Sequence, residues 1–427
     1  MTKILVENNG PLRGEVEVSG SKNAVLPILA AAILSEEETT IGDVPDLKDV
    51  TILCTLLSSL GLQIVHDKEK KSVTVNANEI ISTHASDDLV QMMRASFLVM
   101  GPLLARKGSV TISLPGGCAI GERPIELHFK GLRKLGANIE FMENGHVKAV
   151  AEKLVGTDIY LDFPSVGATE NVMIAATLAE GTTIIQNAAQ EPEIIDLANF
   201  INKMGGKIKG AGTDTIKIEG VERLHGTKHN VIPDRIEAGT FMIAAAITRG
   251  SVLIKNVEPN HVKPIIAKLK ECGVEIHMTD NGMIVRGDVN PLISTDIKTL
   301  PYPGFPTDMQ SPFMSLLTTV KGQSIVIETV FENRFMHVLE LNSMGARINI
   351  KDKCAIIEGN TKLHGAEVRA TDLRAGAAVV LAGLVAEGTT VVSKIYHIKR
   401  GYENFVEKLQ GLGAKISYID SDEEEDE

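Results

Sequence analysis

The pentapeptide LGLQI, at residues 60–64, follows a helix-like apolar stretch and recurs five more times in the chain of 427 residues. The other copies are LGANI (135–139), MGGKI (204–208), CGVEI (272–276), MGARI (344–348) and LGAKI (412–416). Their glycines, at positions 61, 136, 205, 273, 345 and 413, lie 75, 69, 68, 72 and 68 residues apart, which is the regular spacing of an internal repeat. A glycine after a helix suits a left-handed C-cap, and the isoleucine that follows suits the start of a strand. The sequence therefore predicts six copies of one unit.

A second motif recurs with the same spacing as the first, and it adds an earlier helix and strand to each copy. It is a turn followed by a β-branched strand: EETTI (37–41), KGSVTI (107–112), EGTTII (180–185), RGSVLI (249–254), KGQSIVI (321–327) and EGTTVV (387–392). Four of the preceding helices are apolar on every side, which predicts that they are buried: AVLPILAAAIL (24–34), ENVMIAATLA (170–179), AGTFMIAAAI (238–247) and AGAAVVLAGLVA (375–386). Each copy thus reads helix, strand, helix, glycine and strand, often with another strand after it.

Six copies divide naturally into two similar α/β domains of three copies each. The predicted boundary lies near HNVIPDR (229–235), between the third and fourth copies. The strand in LRGEVEVSG (12–20) precedes the first copy much as LHGAEVRA (363–370) precedes the sixth, so we assign it to the second domain. The predicted domains are residues 21–231 and residues 1–20 together with 232–420, followed by an acidic tail at 421–427.

Composition narrows the class of protein. Hydrophobic residues make up 44% of the chain and charged residues 23%, as in ordinary globular proteins, and the net charge is −12. An acidic chain without tryptophan lacks the basic, stacking surface of a nucleic-acid binder. The apolar runs are too short to span a bilayer and the N-terminus does not resemble a signal peptide, so a cytoplasmic location is expected.

Metal and nucleophile motifs are missing from the sequence. The cysteines at 54, 118, 272 and 354 have no metal-like spacing and suit free thiols in a reducing compartment. No HExxH, EF-hand, Walker A or GxSxG motif occurs. We therefore expect neither a metal nor another cofactor.

Polar residues just before the buried helices point to an anionic ligand. Ser19, Thr169, Asp234, Asp308 and Asp372 have the character of N-caps. Capping does not explain Lys22, Arg94 and Arg374, because a cation near a helix N-terminus is unfavourable unless an anion binds there. Further arginines stand in predicted loops, at Arg123, Arg334 and Arg400. Since arginine binds phosphate and carboxylate in a bidentate manner, this set predicts a ligand carrying both groups.

One cysteine lies in the glycine-rich loop PGGCAIGERP, at residues 115–124. Gly116, Gly117 and Gly121 would let the backbone of Cys118 approach a ligand closely, and Arg123 could lower the pKa of the thiol or hold an anion beside it. An ordinary surface loop is the alternative, but the pattern favours an active-site thiol. His128, in ELHFKGL at helical spacing, is interpreted as a structural histidine.

The chain resembles the enolpyruvyl transferase family, and within it the UDP-N-acetylglucosamine 1-carboxyvinyltransferases. The resemblance covers the whole chain except the acidic tail, and the cysteine loop is its most specific part. It rests on SGSKNAVLPILAAAIL, PGGCAIGERPIELH, FPTDMQ, ETVFENRFMHV, ATDLRAGAA and YHIKRGYENF. It implies the enolpyruvyl transferase fold, in which each domain has three βαβαββ repeats in an inside-out α/β barrel.

The resemblance also implies a reaction. The enolpyruvyl group of phosphoenolpyruvate would pass to the 3′-hydroxyl of UDP-N-acetylglucosamine, with release of phosphate, by addition and elimination through a tetrahedral ketal. This transferase reaction is the first committed step of peptidoglycan synthesis, and so serves cell wall biogenesis, cell shape, cell division and the cell cycle. The family also implies a pyruvate adduct and inhibition by fosfomycin.

Site residues follow from the same resemblance. It implies that Cys118, Asp308, Lys22 and Arg400 are catalytic, with Cys118 as the proton donor to carbon and Asp308 as the acceptor of the hydroxyl proton. Phosphoenolpyruvate would be bound by Lys22, Asn23, Arg123, Arg334, Arg374 and Arg400. UDP-N-acetylglucosamine would be bound by Asn23, Arg94, Arg123, Pro124, Ile125, Glu126, Leu127, Ser165, Val166, Gly167, Asp308 and Val330. Phe163 stands where some relatives have a basic residue, and Asp372 could share the role of base.

Two alternatives stay open at this point. A paralogue could use the same ketal chemistry on another sugar nucleotide or alcohol. A catalytically silent sensor of UDP-sugars could use the same scaffold, although the joint presence of Lys22, Cys118, Asp308 and Arg400 argues against it. The expected partners are the two small-molecule substrates, without nucleic acid or membrane insertion, and the sequence does not fix protein partners or the oligomeric state.

Overall fold

A computed structural model describes residues 2–115, 120–121, 125–143 and 145–420. Its described residues divide into two compact units. The first unit contains residues 20–115, 125–143 and 145–232, and the second contains residues 2–19, 120–121 and 233–420. The predicted acidic tail lies outside the described residues.

The helices are mostly short and alternate with strands along the chain. In chain order they are α1 (Lys22–Ala31), α2 (Lys48–Ser59), α3 (Asp87–Met92), α4 (Met100–Lys107), α5 (Glu126–Lys134), α6 (Val166–Ala176), α7 (Pro192–Lys203), α8 (Arg235–Ile247), α9 (Lys263–Glu271), α10 (Gln310–Thr319), α11 (His337–Ser343), α12 (Leu373–Gly383), α13 (Tyr396–Lys399) and α14 (Phe405–Gly411). Short 3-10 helices occupy Ala32–Leu34, Arg94–Val99, Pro259–Val262 and Thr307–Met309. Within the described ranges, no helix is both long enough and apolar enough to cross a membrane.

The strands are short. They are β1 (Thr2–Glu7), β2 (Arg13–Glu17), β3 (Thr39–Gly42), β4 (Gln63–Asp67), β5 (Ser72–Asn76), β6 (Ser109–Ser113), β7 (Asn138–Phe141), β8 (His146–Val150), β9 (Asp158–Tyr160), β10 (Thr182–Gln186), β11 (Lys207–Lys209), β12 (Thr215–Glu219), β13 (Lys228–Asn230), β14 (Ser251–Lys255), β15 (Glu275–Thr279), β16 (Gly282–Arg286), β17 (Ile297–Lys298), β18 (Gln323–Ile327), β19 (Arg347–Lys351), β20 (Cys354–Glu358), β21 (Glu367–Arg369), β22 (Thr389–Ser393) and β23 (Lys415–Asp420).

The described strands form six small sheets, one for each copy of the repeat. Five have four strands, in the orders β13-β3-β5-β4, β9-β10-β12-β11, β2-β14-β16-β15, β17-β18-β20-β19 and β21-β22-β1-β23, and the sixth is β6-β8-β7. In every four-stranded sheet the first pair is parallel and the other two pairs are antiparallel. The predicted α/β class and its sixfold repeat are confirmed, with separate sheets rather than one closed barrel sheet.

The N-terminal strands complete sheets of the second unit. Strand β1 lies between β22 and β23, with Thr2 opposite Asp420 and Glu7 opposite Lys415. Strand β2 pairs in parallel with β14 through the residues from Arg13 to Glu17. The sixth copy therefore obtains its inner antiparallel strand from the beginning of the chain.

The alanine-rich helices lie in the interior, as predicted. Every residue of 24–34 and of 238–247 is buried, while Leu178 and Val385 are half-buried in the other two segments. In the second unit, α8, α10 and α12 pack against one another, and each unit has its own hydrophobic core. Burial of both helical faces follows from the continuous apolar sequence, because each helix is surrounded by apolar neighbours.

The six repeat glycines have the predicted left-handed backbone. Their φ angles are 105°, 104°, 100°, 95°, 92° and 92°, from Gly61 to Gly413. Only glycine adopts this region without a steric penalty from Cβ, so the helix-to-strand turn explains the repeated residue.

Candidate active site

Asp308 accepts hydrogen bonds from two arginines of the second unit. It lies in the 3-10 helix that immediately precedes α10. Its Oδ1 accepts from Nη2 of Arg334 at 2.9 Å, and its Oδ2 accepts from Nε of Arg374 at 3.2 Å. Pro306, not Asp308, occupies the N-cap position of that 3-10 helix, so the capping prediction was wrong for this residue.

The two arginines are buried and retain unused donors. Their side chains are 3% and 1% exposed for Arg334 and Arg374, respectively. By distance and angle, two nitrogens of each guanidinium lack an acceptor among the described residues, Nε and Nη1 of Arg334 and Nη1 and Nη2 of Arg374, although the Tyr402 hydroxyl also interacts with the Arg374 guanidinium. A buried charge with unsatisfied donors is costly, so this arrangement is suited to an anion that supplies the missing acceptors.

Aromatic rings lie beside both guanidiniums, and an N-cap fixes the backbone of Arg374. The guanidinium carbon of Arg374 lies 5.0 Å from the ring centre of Tyr402, and that of Arg334 lies 5.5 Å from the ring of Phe331. Asp372 caps α12 and accepts hydrogen bonds from the backbone N–H groups of Arg374 and Ala375, as predicted. Arg374 therefore lies in the first turn of α12, near the helix N-terminus as the sequence indicated.

A buried carboxylate that sequence reasoning missed organises the neighbouring loops. Glu328, 1% exposed, accepts hydrogen bonds from the hydroxyls of Thr299 and Thr307 at 2.7 and 2.9 Å. It also accepts from the backbone N–H groups of Val330 and Phe331. Glu328 thus links the residue before Asp308 to the loop that leads to Arg334. No sequence pattern signals this role, because one glutamate after a strand is ordinarily solvated.

His337 adds a neutral ring beside these arginines. The pKa of His337 is lowered to about 4. Burial is the main cause, the charge of Asp372 opposes it, and the positive charge of Arg334 adds to it. The ring is fully buried and carries no charge at neutral pH. The fixed cations near Asp308 are therefore arginines and not this histidine.

Other predicted residues of the second unit lie in loops. Val330 and Arg400 are half-buried, and Arg400 follows α13 directly. Ile120 accepts a hydrogen bond from the backbone N–H of Asn333 at 3.1 Å. Gly121 has φ of 133°, a backbone conformation that favours glycine, and an added Cβ would lie 2.8 Å from the carboxyl carbon at the end of the flexible Glu332 side chain. Cys118, Arg123 and Pro124 lie outside the described residues.

In the first unit, Lys22 is held by a carboxylate. It is the first residue of α1, and its Nζ lies 3.1 Å from Oδ2 of Asp49, which is 2% exposed. Asn23 follows it and is half-buried. The ion pair fixes a cation at a helix N-terminus, where it would otherwise be unfavourable. Nothing in the sequence paired Asp49 with Lys22.

His128 lies among the predicted sugar-nucleotide residues of the first unit. Nδ2 of Asn171 lies 3.1 Å from its Nδ1, and the ring atoms of His128 lie 3.2 to 3.3 Å from where a Cβ on Gly167 would be. Burial lowers the pKa of His128 to about 3, with a further contribution from Arg94. The ring is neutral and packed, in agreement with the structural role predicted for it.

The remaining candidates of this unit surround α5 and α6. Ser165 caps α6 through Ala168 N–H, and Val166 and Gly167 form its first turn. Ile125 precedes α5, whose first residues are exposed Glu126 and buried Leu127. Phe163 is 42% exposed.

Two further capping predictions were wrong and one was confirmed. Thr169 lies inside α6, where its hydroxyl donates to the carbonyl of Ser165. Ser21 occupies the N-cap position of α1, while the hydroxyl of Ser19 donates to Glu403 and accepts from Lys408. Asp234 caps α8 as predicted.

Comparison with known proteins places these features in a family. The sequence profile of EPSP synthase (3-phosphoshikimate 1-carboxyvinyltransferase) matches residues 6–409. UDP-N-acetylglucosamine 1-carboxyvinyltransferase 1 of Caldanaerobacter subterraneus subsp. tengcongensis is 58% identical, over 97% of this chain and 99% of its own. UDP-N-acetylglucosamine 1-carboxyvinyltransferase 2 of Carboxydothermus hydrogenoformans is also 58% identical, over 98% and 100%.

Solved structures agree with the fold. The enolpyruvyl transferase NikO from Streptomyces tendae superimposes with a TM-score of 0.89 at 25% identity, over 98% of both chains. EPSP synthase from Acinetobacter baumannii has a TM-score of 0.76 at 20% identity, over 98% of this chain and 100% of its own, which bears on the fold alone.

Proposed function

This chain belongs to the EPSP synthase family, and we propose that it transfers the enolpyruvyl group of phosphoenolpyruvate to the 3′-hydroxyl of UDP-N-acetylglucosamine, releasing phosphate. The observation that carries the proposal is the pair of buried arginines around Asp308, with donors left over for an anion. The sugar nucleotide is proposed as the acceptor because the two relatives reported above are both named UDP-N-acetylglucosamine 1-carboxyvinyltransferase.

The second unit supplies the carboxylate-binding cations and the base. Arg334 and Arg374 bind the carboxylate of phosphoenolpyruvate through their unused nitrogens, because a planar fork matches a carboxylate in a bidentate manner. Asp308 accepts the proton of the sugar hydroxyl as its oxygen attacks carbon 2 of phosphoenolpyruvate. Arg400 binds the phosphate, and Val330 contacts the sugar nucleotide from the loop that Glu328 fixes.

The first unit supplies the remaining phosphate and nucleotide contacts. Lys22 binds phosphate from the N-terminus of α1, with Asn23 beside it and Arg123 from the cysteine loop. Arg94 and the segments 123–127 and 165–167 bind UDP-N-acetylglucosamine. The exposed start of α5 and the capped start of α6 leave backbone N–H groups available to polar groups of the ligand.

The chemistry balances with these groups. Cys118 donates a proton to the methylene carbon while the hydroxyl oxygen bonds to carbon 2, which gives a tetrahedral ketal that still carries phosphate. Elimination then breaks the carbon–oxygen bond to phosphate, which leaves with the bonding electrons, while the Cys118 thiolate takes back a proton from the new methyl group and the enolpyruvyl double bond forms. Fixed cations stabilise the anions throughout, so no electrophilic cofactor is needed.

The reaction assigns the protein to peptidoglycan synthesis and to cell wall biogenesis, and through them to cell shape, cell division and the cell cycle. Its substrates are products of cytoplasmic metabolism, so the cytoplasm is its place of action. Cys118 bonds covalently to electrophiles that resemble phosphoenolpyruvate, which gives the pyruvate adduct and makes the enzyme a target of fosfomycin.

Phosphate release tests the proposed reaction directly. Phosphoenolpyruvate and UDP-N-acetylglucosamine together should yield one phosphate per enolpyruvyl product, and neither substrate alone should. Faster turnover with another sugar nucleotide or alcohol would instead identify a paralogue. Tight binding of UDP-N-acetylglucosamine without any phosphate release would identify a silent sensor.

Replacement of Cys118 tests its role. Cys118→Asp should retain turnover and resist fosfomycin, because a carboxyl group close to bound anions can still donate a proton. Cys118→Ala has no proton to donate and should be nearly inactive. Full activity of Cys118→Ala would remove the thiol from the mechanism.

A further inference from the structure

Three metal-ligating side chains, none of which is assigned a part in the reaction above, meet in the first unit. They are His84, Asp87 and His146, and one ligand atom from each lies within 4.8 Å of the other two. Nε2 of His146 lies 2.8 Å from Oδ1 of Asp87, and the ring centres of the two histidines are 5.3 Å apart. Within the described part of the chain, this is the one such group of three.

The backbone of the group is held by regular structure. His84 forms a parallel bridge with Thr111 of β6, and its neighbour Ala85 donates its N–H to the carbonyl of Thr111. Asp87 is the first residue of α3, and His146 is the first residue of β8, paired with Ser113. Strand pairing therefore brings His146 to the other two residues, although 59 positions separate it from Asp87.

The three side chains differ in exposure, and the exposed one, His84, can rotate. His146 is buried, Asp87 is half-buried and His84 is exposed. Ligands of a tetrahedral ion lie roughly 3.3 Å from each other, given metal–ligand bonds of about 2 Å. The Asp87–His146 pair is already close to that spacing, and rotation of the exposed His84 ring would bring in the third ligand. The site is open to solvent on the His84 side.

We propose that His84, Asp87 and His146 bind a divalent first-row transition metal, with Zn²⁺ as the best match. Two imidazoles and one carboxylate are ligands that Zn²⁺ takes at short distances, whereas Mg²⁺ and Ca²⁺ prefer oxygen ligands alone. Three protein ligands leave a fourth position for water or for a group of another molecule. The sequence did not predict this site, because the pattern HASD and a distant histidine match no metal motif.

The metal would join the segment that leads into the cysteine loop to the segment that leads to Arg94. Strand β6 ends at Ser113, two residues before the loop that begins at Pro115, and α3 ends two residues before Arg94. A bound ion ties the start of α3 to β8 and so restrains these segments. Its role is structural or regulatory, because none of its ligands belongs to the proposed reaction.

Metal titration of the full chain tests the proposal. Zn²⁺ affinity is measured by competition with a chromophoric chelator, and Co²⁺ is used as a spectroscopic substitute. The wild type should bind one equivalent, and His84→Gln and Asp87→Asn should each weaken binding about tenfold or more. Thermal unfolding should shift upward with Zn²⁺ in the wild type and not in these variants.

Controls separate this site from others. His277 lies 3.2 Å from Glu275, and among the described residues no third metal ligand joins this pair, so His277→Gln should bind Zn²⁺ as the wild type does. His84 is exposed, so its replacement keeps the fold even if changes at buried His146 do not. Unchanged affinity in His84→Gln and Asp87→Asn, no saturable binding, or sulfur-to-cobalt charge-transfer absorption from a cysteine would each overturn the proposal.

Discussion

Asp308 shows what the sequence can and cannot say about a single residue. Its position before a buried helix suggested an N-cap, and the family resemblance implied a base. The arginines that contact it lie 26 and 66 positions away, and only the folded chain brings them together. Capping of α12 by Asp372 was predictable, because an N-cap depends on residues that are adjacent in sequence.

Asp308→Asn should nearly abolish turnover. The amide keeps the shape of the side chain but cannot accept the hydroxyl proton at neutral pH, whereas binding of the UDP-sugar should change by less than roughly tenfold, about 1.4 kcal/mol. Steady-state phosphate release and calorimetric binding of UDP-N-acetylglucosamine measure the two effects. Near-native turnover would make Asp372 the better candidate for the base.

His128→Gln should make the protein less sensitive to acid. The unfolded chain gains a proton on this histidine below its ordinary pKa of 6.5, while burial keeps the folded pKa at about 3. The contribution of neutral His128 to the free energy of unfolding is therefore fully present above pH 6.5. It is lost as the pH falls from 6.5 toward 3, by about 2 kcal/mol at pH 5. Urea unfolding at pH 7 and pH 5 measures the loss, which should be smaller in the variant. An identical loss in both proteins would refute the assignment.

Among the elements, the turns were more predictable than the helix starts. All six repeat glycines were assigned correctly, because a left-handed backbone strongly favours glycine and can therefore be recognised from the sequence. The starts of α1 and α6 were misplaced by a few residues, since serine and threonine occur near one another in both segments. The order of strands within each sheet was not predicted from the sequence, and in the sixth sheet β1 takes the inner position between β22 and β23.

Two glycines near the end of α14 allow a matched test of the left-handed turn. Gly413 has φ of 92° and open space where an added methyl group would lie, so Gly413→Ala isolates backbone strain and should destabilise the protein by about 1 kcal/mol or more. Gly411 ends the helix, also in open space but without a positive φ, so Gly411→Ala should be neutral or stabilising by up to about 1 kcal/mol. Urea unfolding compares them, and equal effects would contradict the argument.

At the scale of the whole molecule, the sequence predicted the α/β class and the repeat, and it singled out candidate cations. It could not predict which of them meet a buried partner, as Lys22 meets Asp49. It also could not foresee that Glu328 would be enclosed by two hydroxyls and two backbone N–H groups. Such contacts depend on packing between distant segments, which leaves no local pattern.

The four thiols should differ sharply in reactivity. Burial raises the pKa of both Cys54 and Cys272 to about 12, so at pH 8 only about one in ten thousand of each is thiolate. Brief alkylation of the native protein should therefore modify Cys118 and half-buried Cys354 while sparing the other two. Peptide mass spectrometry identifies the modified sites, with urea-unfolded protein as the positive control. Labelling of Cys54 or Cys272 as fast as Cys354 would contradict the burial argument.

The place of β1 between β22 and β23 has a consequence for biosynthesis. A ribosome makes Thr2–Glu7 long before the strand's two native neighbours, Thr389–Ser393 and Lys415–Asp420, which lie more than 380 positions later in the sequence. The first unit can complete its own strand pairing once residue 232 has left the exit tunnel, whereas the second must wait until residue 420 has left it. During that interval the nascent β1 has no native partner, and its unpaired backbone N–H and C=O groups are open to capture by a chaperone.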